Sequence, residues 1–369
     1  SAKKIPLSDE LAGTKLSAVR CDRDGRILVL SNKGLLQHSP ARDGQAHDGK
    51  LVPDRRYRPL LDMEIRGLDA YQDQFVYLTD EFVLSNAWAG RFCVRHGLPD
   101  AELFQMGSDF GFLVAGKGAI GFFSGGKCVD RFETAQPVKQ LLFDPTHKRF
   151  LILTNSQIAY FVPGEKSTKV FDGRDLNCFE LIDGDSTLII GTAEGYIELD
   201  ADSFGAKPAV QKKLPCTDIR CVKQIGDSLW FGTSSGAFCL HNDGRIDYYA
   251  SKRWLVDDSV IDVSKGPDNS VLILSPTGLS VIAFEPMTLQ QKAEHFDKLT
   301  RERHIRHGLN SELAMTRPGD LSTGTLVDND NDGLWTAMYL AGELFRYAVT
   351  GSDDALQNCY ESFEAMEHL

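Results

Sequence analysis

Apolar residues in this chain come in short runs separated by polar turns. Residues 227–246, DSLWFGTSSGAFCLHNDGRI, show one copy of the unit: an apolar run at 229–233, a tight turn at 234–236, a second run at 237–241 and another turn at 242–244. Runs of four or five apolar residues bounded by Gly, Asp, Asn and Ser read as hairpin strands of a buried sheet. Related text lies at 25–38, 75–86, 111–123, 149–162, 186–200 and 269–284.

One apolar anchor can be taken from the first strand of each unit: Val19, Leu68, Phe104, Leu141, Phe179, Val222 and Val263. Their separations are 49, 36, 37, 38, 43 and 41 residues. A period of roughly 40–50 residues is that of β-propeller blades. A four-stranded unit has two apolar faces and cannot bury both alone, whereas stacking units in a ring buries them and leaves only short edges. The pattern predicts a mainly β protein, a seven-bladed β-propeller over residues 1–287, its blades lying between about residues 14 and 287. The turns at 22–25, 242–244 and 266–269 reverse the chain between strands. The long first gap holds a polar stretch, 41–57, expected to be a surface insertion.

The wording of the repeats resembles the propeller repeats in sensor regions of two-component regulators. There a D-x-x-G turn is followed by an L-W-x-G-T strand and then a strand opening with Gly. Leu229 to Thr233 with Gly236 matches closely, and Leu188 to Thr192 with Gly195 matches without the Trp. The resemblance implies a propeller over about three-quarters of the chain and carries almost no information about activity.

The period changes at Pro286. Thr288 to Gln291 reads as a capping box, and Leu289, Ala293, Phe296 and Leu299 then share one helical face. A polar connection, 308–327, precedes a helix from about Leu334 to Ala348 with Leu334, Met338, Ala341, Phe345 and Ala348 on one stripe. Gly351 ends that helix. Ser352 starts another, whose Leu356, Cys359, Phe363 and Met366 are expected to face inward. Residues 288–369 are thus a small C-terminal helical segment. Two helices cannot bury both stripes, so docking on the propeller, on another chain or on a further helical domain is expected, with the chain as a piece of a longer protein. Residues 333–348 resemble an early helix of the (α/α) toroids found in glycan-degrading enzymes.

Composition narrows the classes. A net charge of −12 argues against a general nucleic-acid surface. No apolar run reaches the roughly 18–20 residues of a membrane span. The opening SAKKIPLSDELAG lacks the apolar core of a signal peptide; had one been trimmed, an extracellular or periplasmic protein is the expectation. Eight cysteines include no C-x-x-C pair and lie mostly in predicted strands, as free structural thiols would, with Cys216 and Cys221 near enough in sequence for a bridge to stay open.

Three constellations carry candidate chemistry. Asp328, Asp330 and Asp332, followed by Gly333, match the first half of a calcium loop, but Tyr339 stands where a bidentate Glu is needed. The readings are a Ca²⁺ site, a helix cap, or the acidic wall of an active site. His304 and His307, with Tyr339 and Arg346 from the next helix, form a base, acid and charge-neutralising set of the kind lyases use. The plainer reading of Arg303, His304, Arg306 and His307 is a basic helix end meeting the macrodipole. Trp254, in a loop between blades, could stack on a sugar or grip a partner, with Arg303 and Arg306 as further candidate ligand-binding residues, or Trp254 could pack in the core. G-x-S-x-G at 232–236 and G-x-G-x-x-G at 116–121 both lead into strands rather than helices, so neither is a nucleophile elbow or a dinucleotide loop. The leading expectation is a propeller that binds a carbohydrate or protein ligand. The alternatives are a carbohydrate-active enzyme with its site between propeller and helices, and an architectural subunit.

Overall fold

The computed structural model describes residues 1–41, 48–182, 186–205, 209–317 and 320–368. The chain divides into two compact units, Ser1–Phe284 and Glu285–Leu369.

The first unit is a seven-bladed β-propeller. Its innermost strands are Leu16–Cys21, Ile65–Tyr71, Leu103–Met106, Val138–Asp144, Leu176–Leu181, Ile219–Ile225 and Asp262–Lys265, each followed by antiparallel neighbours in sequence order. Each of the seven anchors falls in one of these strands. Seven apolar clusters fill the junctions between adjacent blades, one for each junction around the ring. Phe231, Phe238 and Phe179 are among the largest side chains fully removed from solvent.

The ring closes in a way the repeat pattern did not reveal. Ala2–Pro6 pairs with Gly278–Ile282 and supplies the outermost strand of blade 7, with Ile5 only 1% exposed. The first residues therefore belong to the last blade. The stretch 41–57 is likewise more than an insertion. Its Lys50–Pro53 is the outer strand of blade 1, with Leu51 fully buried; residues 42–47 lie outside the described residues. Among the described residues blade 5 has three strands, and a bridge from Tyr196 to Gln211 stands at the fourth position.

The repeated G-T text has a packing cause. A Cβ on Gly191 would fall 2.5 Å from Cys178 Sγ and 2.5 Å from Ile219 of the next blade; one on Gly232 would fall 2.5 Å from Val260. Only glycine lets the following blade approach this closely. The hydroxyl after it closes the hairpin: Thr192 donates to the Gly195 carbonyl and Thr233 to the Gly236 carbonyl, at 2.8 and 2.7 Å. Ser31, Thr79 and Thr154 do the same in blades 1, 2 and 4.

A one-turn helix, α1 (Ser251–Trp254), links blades 6 and 7. The second unit contains α2 (Leu289–His304), α3 (Asp332–Thr350) and α4 (Asp353–Glu367). The Thr288–Gln291 capping box is present, Gly351 adopts left-handed φ 65°, and the Ser352 side chain caps α4. The segment 308–327 holds strands in addition to polar turns: Ile305–Arg306 pairs with Leu309–Asn310, and Glu312–Met315 with Gly324–Val327. The α3 stripe does not face inward, whereas the α4 stripe does in part: Cys359 is buried and Leu356 and Met366 are half-buried. Leu334, Met338 and Phe345 are 56%, 61% and 74% exposed, and Phe363 is exposed too. Thr336, Glu343, Ala355, Asn358, Cys359 and Ser362 are the buried residues of α3 and α4.

Candidate functional site

A cavity of about 1430 Å³ forms the channel down the middle of the propeller. Seven innermost strands run in the same sense around it, so equivalent positions form levels along its axis.

The middle level holds the residues one past each anchor. Arg20 of blade 1 is clamped between Asp69 of blade 2 (2.9 Å) and Asp262 (2.6 Å), which lies one before the blade 7 anchor. Lys223 of blade 6 meets Glu180 of blade 5 at 2.8 Å. Burial works against the Arg20 charge, but Asp262 and Asp69 more than offset it and hold the guanidinium above its ordinary range. Burial likewise opposes the Lys223 charge and is outweighed by Glu180; Arg20 and Asp69 also act on it, so these groups form one coupled belt.

The belt also settles the edge of each inner strand. An innermost strand has backbone groups with no ladder partner on the channel side, and a buried unpaired group is costly. Neighbouring blades supply the partners. Val19 N–H donates to Asp262, Gln224 N–H to Glu180, and Phe179 N–H to the Gln140 side chain, which donates back to the Phe179 carbonyl.

The level two residues before each anchor lies at the end where the strands begin. Blades 2, 4 and 6 place Arg66, Lys139 and Arg220 there; blades 1, 3, 5 and 7 place Ser17, Glu102, Asn177 and Ile261. Lys139 donates to the Leu176 carbonyl (2.7 Å), Asn155 (2.9 Å) and Asn177 (3.4 Å), all neutral acceptors. Arg66 faces Glu64 at 3.3 Å, and Arg220 faces Asp218 at 3.3 Å and Ser259 at 2.8 Å. At the opposite end, turns of blades 1, 2 and 7 present Asp22, Asp24, Asp73 and Asp268, with Arg23 and Lys265 among them. Three cations therefore line one mouth, two of them paired with carboxylates beside it, while acid outnumbers base at the other. Cys178 and Cys221 line its wall one residue before their anchors. Burial pushes the Cys178 thiol up to about 12 and Cys221 well above its ordinary value, which favours the thiol over the thiolate. All eight cysteines are free thiols.

The residues singled out by sequence lie elsewhere. Tyr339 and Arg346 come together on Asp297, at 3.2 and 2.8 Å, and Arg346 also reaches Glu343 at 2.7 Å. Glu343 accepts from Asn358 as well, and Arg301 pairs with Glu361 at 2.7 Å. This polar knot ties α2, α3 and α4 together. Burial, with the neighbouring Asp297 charge, keeps Glu343 above the ordinary carboxylate range even though Asn358 and Arg346 pull it down. His304 and His307 stand apart from the knot's bonds. The His304 ring contacts the Ser311 carbonyl at 3.1 Å. The exposed His307 lines a separate cleft of about 670 Å³ with Arg301, Glu361, Glu364 and His368. Arg306 is exposed and Arg303 half-buried.

Asp332 begins α3 and accepts from Ser311 (3.0 Å) and from the Asn329 N–H (3.2 Å), fixing the loop before it. The nearby Asp330 accepts from Asn331 at 3.4 Å, while Asp328 is exposed. Among the described residues, no group of three or more His, Cys, Asp or Glu is arranged to hold a metal. Trp254 lies in α1 against the core of blades 6 and 7. The Tyr249 ring meets it at 5.3 Å and 85°, and the Arg253 guanidinium lies over it.

The channel residues escaped the sequence reading although their signal was present. Counting one forward and two back from each apolar anchor finds Arg20, Asp69, Glu180 and Lys223, then Arg66, Lys139 and Arg220.

Neither a protein-family model nor a curated protein matches the chain. Solved structures do. The extracellular domain of a putative hybrid two component system from B. thetaiotaomicron superposes with a TM-score of 0.59 at 14% identity, over 78% of this chain and 40% of that one. Streptogramin B lyase matches with a TM-score of 0.57 at 11% identity, over 76% of this chain and 96% of that one. The WD40 domain of Neurospora crassa Pan2 gives 0.55 at 13% identity, over 76% and 93%. Identities this low show the fold alone. They agree with propeller repeats of the regulator type and leave the toroid resemblance of residues 333–348 unsupported. Among the described residues, no helix is long and apolar enough to cross a membrane.

Proposed function

We propose that the propeller is a binding module whose ligand enters the central channel. The observation that carries this is the channel itself: a cavity of about 1430 Å³ whose wall presents polar and charged groups held in place by neighbouring blades. Pre-organised polar groups in a concave site recognise a ligand without paying to order side chains. A carbohydrate or a short peptide segment of a protein has the hydrogen-bonding groups such a wall recognises. The likeness to an extracellular domain of a two component system supports a sensing context outside the cell.

The test uses thermal unfolding of the full chain with a panel of oligosaccharides and short peptides. Gln105→Trp places an indole in the channel. Ligands that raise the melting temperature of the parent should fail to raise that of Gln105→Trp. Hits that keep their full shift in the blocked variant bind elsewhere, and the channel reading is then wrong.

A further inference from the structure

We infer that the mouth of the channel lined by Arg66, Lys139 and Arg220 recognises a small polyhydroxylated ligand carrying several acidic groups. This rests on the reading of the channel as a binding site and adds which end is engaged and by what chemistry.

The three cations at this mouth sit on alternate blades, 2, 4 and 6. Groups two blades apart surround the opening instead of converging on one atom. A ligand with a single acidic group would meet one of them; a ligand with several, spaced around a ring or along a short oligomer, would meet more. Between the cations stand Ser17 and Asn177, neutral groups suited to hydroxyls, and Ile261. Among the described residues that line this level Glu102 is the opposing charge, and it is exposed; Glu64 and Asp218 lie beside it against Arg66 and Arg220.

The cations are also available. Among the described residues, Lys139 bonds the neutral acceptors Asn155, Asn177 and the Leu176 carbonyl. Arg66 and Arg220 pair with Glu64 and Asp218, whose side chains are 70% and 38% exposed. Pairs this open to water are weak and exchange readily. The belt below differs: Arg20 and Lys223 are saturated by Asp69, Asp262 and Glu180, so the site for an incoming acid ends there. The acidic opposite mouth repels the same ligand, which gives entry a direction. Nucleic acid is a poor fit because the chain as a whole carries −12.

The test measures binding of three probes to the full chain: trigalacturonate for carboxylates, myo-inositol 1,4,5-trisphosphate for phosphates, and maltotriose as the neutral control. Either acidic probe should bind more tightly than maltotriose, and the one that does identifies the acid. Arg66→Gln, Lys139→Gln and Arg220→Gln should each weaken that probe about tenfold, as expected for loss of a charge-assisted hydrogen bond. Glu102→Gln should tighten it, a gain that a merely damaged fold does not produce. Equal binding of acidic and neutral probes, lost in Gln105→Trp, would overturn this inference and leave the channel reading standing. Binding of neither acidic probe, or acidic binding unchanged in all three cation variants, would overturn it as well.

Discussion

The two units of this chain bury opposite kinds of residue. In the propeller, Phe, Leu, Ile and Val fill seven junctions between blades and the charges collect in the channel. In the helical unit, a knot of Asp297, Tyr339, Glu343, Arg346 and Asn358 sits inside, while Leu334, Met338, Phe345 and Val349 face solvent. Repetition explains the difference. Every blade has a copy of itself on each side, so its oily faces always find a match. Three helices of unlike sequence have no such guarantee, and their cohesion falls to directional polar contacts.

That contrast can be broken by mutation. Phe231→Ala should cost the propeller about 3–5 kcal/mol, read from urea unfolding, because it leaves a cavity between blades 5 and 6 that the rigid sheets cannot close. A cost under about 1 kcal/mol would mean the junctions are loosely packed. Arg346→Met removes the cation shared by Asp297 and Glu343 and should cost about 2–3 kcal/mol at neutral pH. The loss should shrink in mild acid, where Glu343 takes up a proton.

Acid should separate the units further. Burial disfavours ionised Asp54, yet bonds from Arg56 and Arg26 hold it below its ordinary 3.8; Asp144 is held down in the same way by His147 and Arg149. Their contribution is present above pH 3.8 and lost as pH falls through the lower folded values. Glu343 lies above its ordinary 4.5, so ionising it costs the helical unit stability as pH rises from 4.5 through the folded value. Near pH 3 the sheet signal in circular dichroism should therefore weaken before the helix signal. The reverse order would show that the knot, and not the blade contacts, is the acid-sensitive part.

Two smaller effects complete the comparison. Phe345→Ser should change stability by less than about 0.5 kcal/mol, since the ring is already in water; a larger loss would mean the stripe is covered. Calcium against chelator should move the melting temperature by under about 1 °C, because Asp332 already serves Ser311 and Asn329. A clear rise would restore the 328–332 loop as a cation site.

The ring was legible because its cause is local and repeated. Val19, Leu68 and Phe104 announce inner strands by the apolar runs around them, and Gly232 announces a close approach by its place after an apolar run. The channel was harder to read. Arg20 and Asp69 lie 49 residues apart and become partners only once the blades are placed side by side. The Ala2–Pro6 strand was missed for the same reason: its partner is about 280 residues away. The histidines cluster in sequence, yet His307, in a turn with φ 50°, lines a cleft to which Tyr339 does not contribute.

The pairing of Ala2–Pro6 with Gly278–Ile282 has a consequence for biosynthesis. At roughly 5–20 residues per second, the opening segment leaves the ribosome tens of seconds before the partner it will zip onto exists. For that whole interval an incomplete ring carries raw β edges at both ends. A cell making this protein must shield them, or finish translation before a neighbouring nascent copy lends the wrong strand.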